Sequence, residues 1–182
     1  MKHLRILSLL SFSLLFSSVG CGGSDDIFGS GGRTEVDEIR ADDTVLALGE
    51  GTVVKFNFSF DNDDVLNDDG NVRLVVKLPN GLKYRADSAE IDELGNSDRD
   101  IGAQLLECSA SGESYLLFDM DRFDLRSASS PDSDSDAQLK LTVDGVRRGS
   151  TLVIEARADK DRVAYGCQQT FIPDEQEVLS VS

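Results

Sequence analysis

The sequence predicts an all-β fold, a sandwich of two antiparallel sheets, and three observations carry that expectation. Thr52–Phe60 (TVVKFNFSF) alternates strictly: Val54, Phe56, Phe58 and Phe60 fall on one face, and Lys55, Asn57 and Ser59 on the other. That is the period of a half-buried strand. Runs of similar length recur down the chain, parted by turn-rich stretches such as Pro79-Asn80-Gly81 and Asp144-Gly145. A helical period is nowhere sustained over more than two turns, although Ala86–Leu94 has room for a short one. Their number and spacing suit a two-sheet sandwich, with a small barrel as the alternative.

The elements follow in order. A weak strand is predicted at Thr44–Leu48, then the strong one at Thr52–Phe60. In Val72–Leu78, residues Val72, Leu74, Val76 and Leu78 share a face opposite Arg73 and Lys77. A further strand is expected near Lys83–Ile91, and others at Ala103–Cys108, Ser114–Met120, Ala137–Val143, Thr151–Ala158 and Val163–Ile172. The segment from residue 41 to 182 thus reads as one domain, large enough for a single core with little surplus.

The N-terminal 40 residues have a different character. Lys2, His3 and Arg5 form a charged start, Ile6–Phe16 is an apolar run, and small residues lead to Cys21. This is the layout of a signal peptide, and the run is too short for a bilayer core that needs roughly 20 residues. Ser18-Val19-Gly20-Cys21 resembles the bacterial lipoprotein signal, with Ser18 where that signal usually carries Leu. The resemblance implies removal of residues 1–20 and acylation of Cys21; a plain secretory cleavage nearby is the alternative. Three hydrocarbon tails exceed the two-signal threshold for stable anchoring. Gly22 in the second mature position implies the outer membrane by the same resemblance. Residues 21–40, rich in Gly, Ser and acidic side chains, read as the acylated cysteine and a flexible tether with an r.m.s. reach of roughly 24 Å.

Composition narrows the function classes. The chain carries a net charge of −16, and loss of Lys2 and Arg5 takes it to about −18. Nucleic acid is a poor partner for such a surface. The one histidine, His3, lies in the signal, so the mature chain lacks imidazole for nucleophile activation, acid–base work or zinc ligation. Trp is absent, which leaves few stacking platforms for carbohydrate. Paired carboxylates for glycoside hydrolysis cannot be singled out from 34 acidic residues. A non-enzymatic role is expected, with no nucleic-acid partner.

Two constellations remain. Cys108 shares a strand face with Leu106, and Cys167 shares one with Val163, Tyr165 and Phe171, so both are expected to face inward and to pair as a disulfide in an oxidising compartment. Free buried thiols are the alternative. Asp61, Asp63, Asp64, Asp68 and Asp69 crowd one loop with Asn62 and Asn67, and such oxygen ligands are what calcium requires. The EF-hand spacing is not met, because no Glu follows Gly70 at the needed distance. The simpler reading is a solvated loop whose Asp and Asn serve turn chemistry. Asp119, Asp121 and Asp124 are further acidic residues to test for convergence with it.

Gly49–Ile91 resembles the conserved repeat domain of bacterial surface proteins, an immunoglobulin-like sandwich. Gly49, Thr52, Val54, Phe56 and Phe58 take the places of its first strand, and Leu78, Pro79, Gly81, Leu82 and Tyr84 those of its L-P-x-G-L-x-Y motif. Leu139–Ala158 is similar to its closing pair of strands. The resemblance implies an immunoglobulin-like antiparallel β-sandwich of about seven to nine strands. The family usually occurs in arrays, and this chain has one copy. The expected role is a lipid-anchored, non-catalytic binding or structural protein of the cell envelope, with a protein or glycan partner. A calcium-dependent recognition module is the alternative.

Overall fold

The computed structural model describes residues 33–66, 71–92, 98–128, 133–160 and 164–182. The signal, Cys21 and the start of the tether lie outside the described residues. Alternating apolar side chains build two sheets face to face. The first has the order β1 (Glu35–Ala41), β3 (Gly51–Asp61), β10 (Asp134–Gly145), β6 (Glu90–Asp92) and β7 (Arg99–Asp100), with β5 (Leu82–Tyr84) also paired to β10. The second runs β2 (Val45–Leu46), β12 (Glu175–Val181), β11 (Gly149–Lys160), β4 (Val72–Leu78), β9 (Glu113–Met120) and β8 (Gln104–Cys108). Pairing is antiparallel throughout except between β2 and β12. Eight of the described strands have five residues or more, which matches the expected number.

The strongest sequence pattern sits at the centre. Val54, Phe56, Phe58 and Phe60 of β3 are all buried, and β10 places Leu141, Leu139 and Ala137 beside the first three. From the other sheet, Leu74 and Val76 of β4, Leu116 and Phe118 of β9, and Ile154 and Ala156 of β11 close the same core. Burying a side chain of this size contributes on the order of 1.5–3 kcal/mol, so the facing rows dominate the fold.

The boundary at residue 41 needs correction. The sandwich begins with β1, and Val36 and Ile39 are buried against β3. Their spacing of three conceals the strand, because the register shifts between Val36 and Glu38 and the extra residue restores the inward face. Strand β12 was likewise not expected; only Leu179 and Val181 mark its buried face. Conversely, the strand expected at Val163–Ile172 does not form: residues 164–173 carry no strand, and a turn closes from Gly166 to Gln169. Cα geometry at Gly81 explains the Pro79-Asn80-Gly81 signal. Its φ of +136° suits glycine, and its carbonyl accepts from the backbone N–H groups of Val146 and Arg147.

Candidate interaction surfaces

Sheet twist and pairing leave two outer faces, and they differ. On the first sheet the outward residues of β1, β3, β10 and β6 are mostly polar, and they line an open groove of about 580 Å³ with Asp37, Asn57, Ser59, Asp92, Asp136 and Gln138 on its walls. The floor is a side-chain ladder. Gln138 Nε2 donates to Asn57 Oδ1 at 2.6 Å, and Asn57 Nδ2 donates to Glu38 Oε2 at 3.1 Å. Ser59 Oγ donates to Asp37 Oδ1 at 3.3 Å. Burial pushes the Asp37 carboxyl above its usual range, the Ser59 hydrogen bond opposes this, and Glu35 and Asp136 add to the rise. At one flank Lys140 Nζ meets Asp92 at 2.7 Å and Asp98 at 3.3 Å. The groove therefore offers acceptors and amides to an amine- or hydroxyl-bearing ligand. Nothing in the sequence order points to it, since Asp37, Asp92 and Asp136 are brought together only by strand pairing.

Over β8, β9 and the adjoining part of β4 the outer face of the second sheet is apolar and covered. Val75, Tyr115, Leu117 and Cys108 form a second buried cluster with Leu106, Tyr165 and Phe171 packed on it. Phe171 meets Tyr115 edge-on at 5.8 Å and Tyr165 at 6.0 Å between ring centroids. Cys108 and Cys167 are joined by a disulfide with Cα atoms 5.5 Å apart. The pairing is as expected, but its place is not. The bridge lies outside the two-sheet core and pins residues 164–173 to the back of β8 and β9. Period-two alternation marks a covered face without saying what covers it, and here a loop does so in place of the facing sheet.

Beside the bridge runs a polar network. Arg73, nearly buried, forms a bidentate pair with Asp119, Nε to Oδ1 at 2.5 Å and Nη2 to Oδ2 at 2.8 Å. Arg157 Nε donates to Asp159 Oδ1 at 2.7 Å, and the Tyr165 hydroxyl donates to Asp159 Oδ2. Burial, then the Asp159 hydrogen bond, pushes the Tyr165 hydroxyl well above its usual range. Asp174 adds a clasp between the sheets: its Oδ2 accepts the backbone N–H of Val36 in β1 at 3.1 Å and of Ala158 in β11 at 2.9 Å.

The acidic loop is engaged in local structure. Asp63 and Asp64 open a single helical turn, α1 (Asp63–Leu66), whose Val65 is buried. Asp61 Oδ1 accepts the backbone N–H of Asp63 at 2.9 Å, and Asp64 Oδ2 accepts the Thr34 hydroxyl at 3.0 Å. Asp68 and Asp69 lie outside the described residues. Asp119 is held by Arg73, while Asp121 and Asp124 cap each other's turn through Asp121 Oδ1 and Asp124 Oδ2. Among the described residues no group of three or more His, Cys, Asp or Glu is placed to hold a metal ion. No helix among them is long and apolar enough to cross a membrane.

No family model matches the chain, and no curated protein matches it in sequence. Solved structures do match. The major pilin SpaA of Corynebacterium diphtheriae is 11% identical with a TM-score of 0.54, over 81% of this chain and 37% of the pilin. The N-terminal domain of the Streptococcus gordonii adhesin Sgo0707 is 12% identical with a TM-score of 0.49, over 82% of this chain and 32% of that one. The fimbrial protein FimP of Actinomyces oris is 11% identical with a TM-score of 0.48, over 79% and 35%. This chain thus spans about a third of the length of the proteins it is similar to. At such identity the likeness to the SpaA pilin concerns the fold, and with the strand order above it makes this chain an immunoglobulin-like β-sandwich of the kind found in pilin domains.

Proposed function

We propose that this chain is a non-catalytic binding or structural module of the bacterial cell envelope, held by lipid on Cys21, and that its surfaces do the work of adhesion or assembly. The observation that carries the reading is the sandwich it shares with the SpaA major pilin. The SpaA structure points to a modular pilus assembly and to stabilizing isopeptide bonds. In this chain no lysine is buried among the described residues, and the covalent tie is the Cys108–Cys167 disulfide. The order of the proposal along the chain is anchor, tether, then a sandwich presenting a polar groove and a sheet edge. A three-chain lipid anchor at the outer membrane is supported by the residues around Cys21. Expression of the full chain and of its Cys21→Ser variant in a Gram-negative host tests it. The parent should sediment with membranes and carry an acylated N-terminal cysteine by mass spectrometry, and the variant should appear in the soluble fraction. A parent chain found wholly soluble would overturn the anchor, and turnover of a substrate abolished by one carboxylate substitution would overturn the non-catalytic role.

A further inference from the structure

Each sheet ends in two edges, and unpaired edges invite another strand unless they are blunted. Three of the four are. Strand β1 carries a register shift between Val36 and Glu38 and is clasped to β11 through Asp174. Strands β2 and β7 have two residues each, and β5, which shares the flank of β10 with β6, has three. The fourth, β8, has five residues in unbroken register with β9, from Gln104 beside Leu117 to Cys108 beside Glu113. Among the described residues no other strand pairs with it. It contains no proline or lysine.

We propose that β8 receives an extended segment of a partner protein as a seventh, antiparallel strand of this sheet, and that the segment carries a basic residue followed by two apolar ones. The proposal rests on the binding reading above and names its surface and the chemistry of its partner. Leu105 shares a face with the buried Leu116 yet remains 47% exposed, because the sheet stops there. Leu106 lies on the opposite face, and Glu107, exposed, returns to the face of Leu105. An antiparallel segment therefore meets Glu107, Leu106 and Leu105 in that order, and directly opposed side chains are the unit of pairing. A basic residue suits the first and apolar residues the other two. The edge is also held ready: the disulfide fixes Cys108, and the Cys108 carbonyl accepts the Gly112 N–H at 2.8 Å. Main-chain hydrogen bonds would supply affinity and the three side chains specificity.

A second copy of this chain fits less well. Self-pairing about Leu106 would set Leu105 against Glu107, and each copy brings a net charge of −16. The same charge draws a basic segment.

The test uses the full chain with its disulfide intact and a fluorescent peptide, acetyl-Ser-Thr-Lys-Val-Val-Thr-Ser-amide. Controls replace its lysine by glutamate or methylate alternate backbone amides. Anisotropy should show binding at least tenfold weaker for both controls, and hydrogen exchange should slow at residues 104–108. Glu107→Lys should reverse the charge preference, and Leu105→Lys should abolish binding; both side chains are exposed, so the fold is kept. Equal binding of the methylated peptide, or no binding of the parent peptide, would overturn the proposal. So would slowed exchange mapped to another surface, which would leave a binding role standing. Concentration-dependent dimers that protect β8 without peptide would replace the partner by a second copy. None of these readouts depends on membrane anchoring.

Discussion

Reduction of the Cys108–Cys167 bridge should lower stability sharply without dismantling the two sheets. The cysteines are 59 residues apart. In the chain-entropy model a loop of that length removes about 14 cal/mol/K from the unfolded chain, or about 4 kcal/mol at 25 °C. For a domain of this size each kcal/mol shifts the midpoint by about 2–4 °C, so the fall should be about 8–16 °C. The sheets should survive because β11 remains between β4 and β12, and β8 remains on β9, by backbone pairing. What should loosen is the segment 164–173. Tyr115 and Tyr165, two of the chain's three tyrosines, lie in the cluster it covers, and there is no tryptophan. Thermal unfolding of the full chain with and without reductant, followed by far- and near-ultraviolet circular dichroism, separates these effects. Below the transition, reduction should cut the near-ultraviolet signal and leave the far-ultraviolet one. A midpoint shift under about 2 °C would refute the entropic argument, and loss of strand signal before heating would refute the independence of the sheets.

Other expectations concern single groups. Asp37 has a raised folded pKa, so ionising it weakens the fold: its penalty is absent below the unfolded value near 3.8 and grows as pH rises through the folded value. Asp37→Asn should therefore raise the unfolding midpoint at pH 7 and leave it unchanged at pH 3; an equal effect at both would refute the sign. The raised Tyr165 and Tyr115 pKa values act with the same sign in alkali, since the unfolded chain ionises first above about pH 10. Stability should fall from there upward, and absorbance at about 295 nm should show these phenols ionising together with unfolding. Gly81→Ala should destabilise by on the order of 1–3 kcal/mol, because its φ is +136° and a Cβ would sit 3.0 Å from Leu152; Gly102→Ala, with open space, should change little. Calcium in place of chelator should leave the midpoint unchanged, given the local bonds of Asp61 and Asp64; a rise would assign an ion to the acidic loop.

Legibility in the sequence followed the density of apolar alternation. Strand β3 shows four inward side chains at perfect spacing, and it is the core strand. Strands β1 and β12 each offer two buried apolar residues, one pair displaced by a register shift, and no local pattern reveals them. Apolar spacing also misread the back of the second sheet, since a cluster under a loop and a cluster under a sheet have the same period. The disulfide partners could be named from their count. The polar groove and the β8 edge could not, because each is a property of which strands lie side by side.

The position of β1 has a mechanical consequence. Chain entering at Glu35 runs along β3 as far as Ala41, opposite Val54, so a pull from the N-terminal side acts along the strand axis. The hydrogen bonds between β1 and β3 would then be loaded together in shear rather than opened one by one. Asp174, gripping Val36 and Ala158 at once, passes part of that load directly to the second sheet at the end where the chain enters.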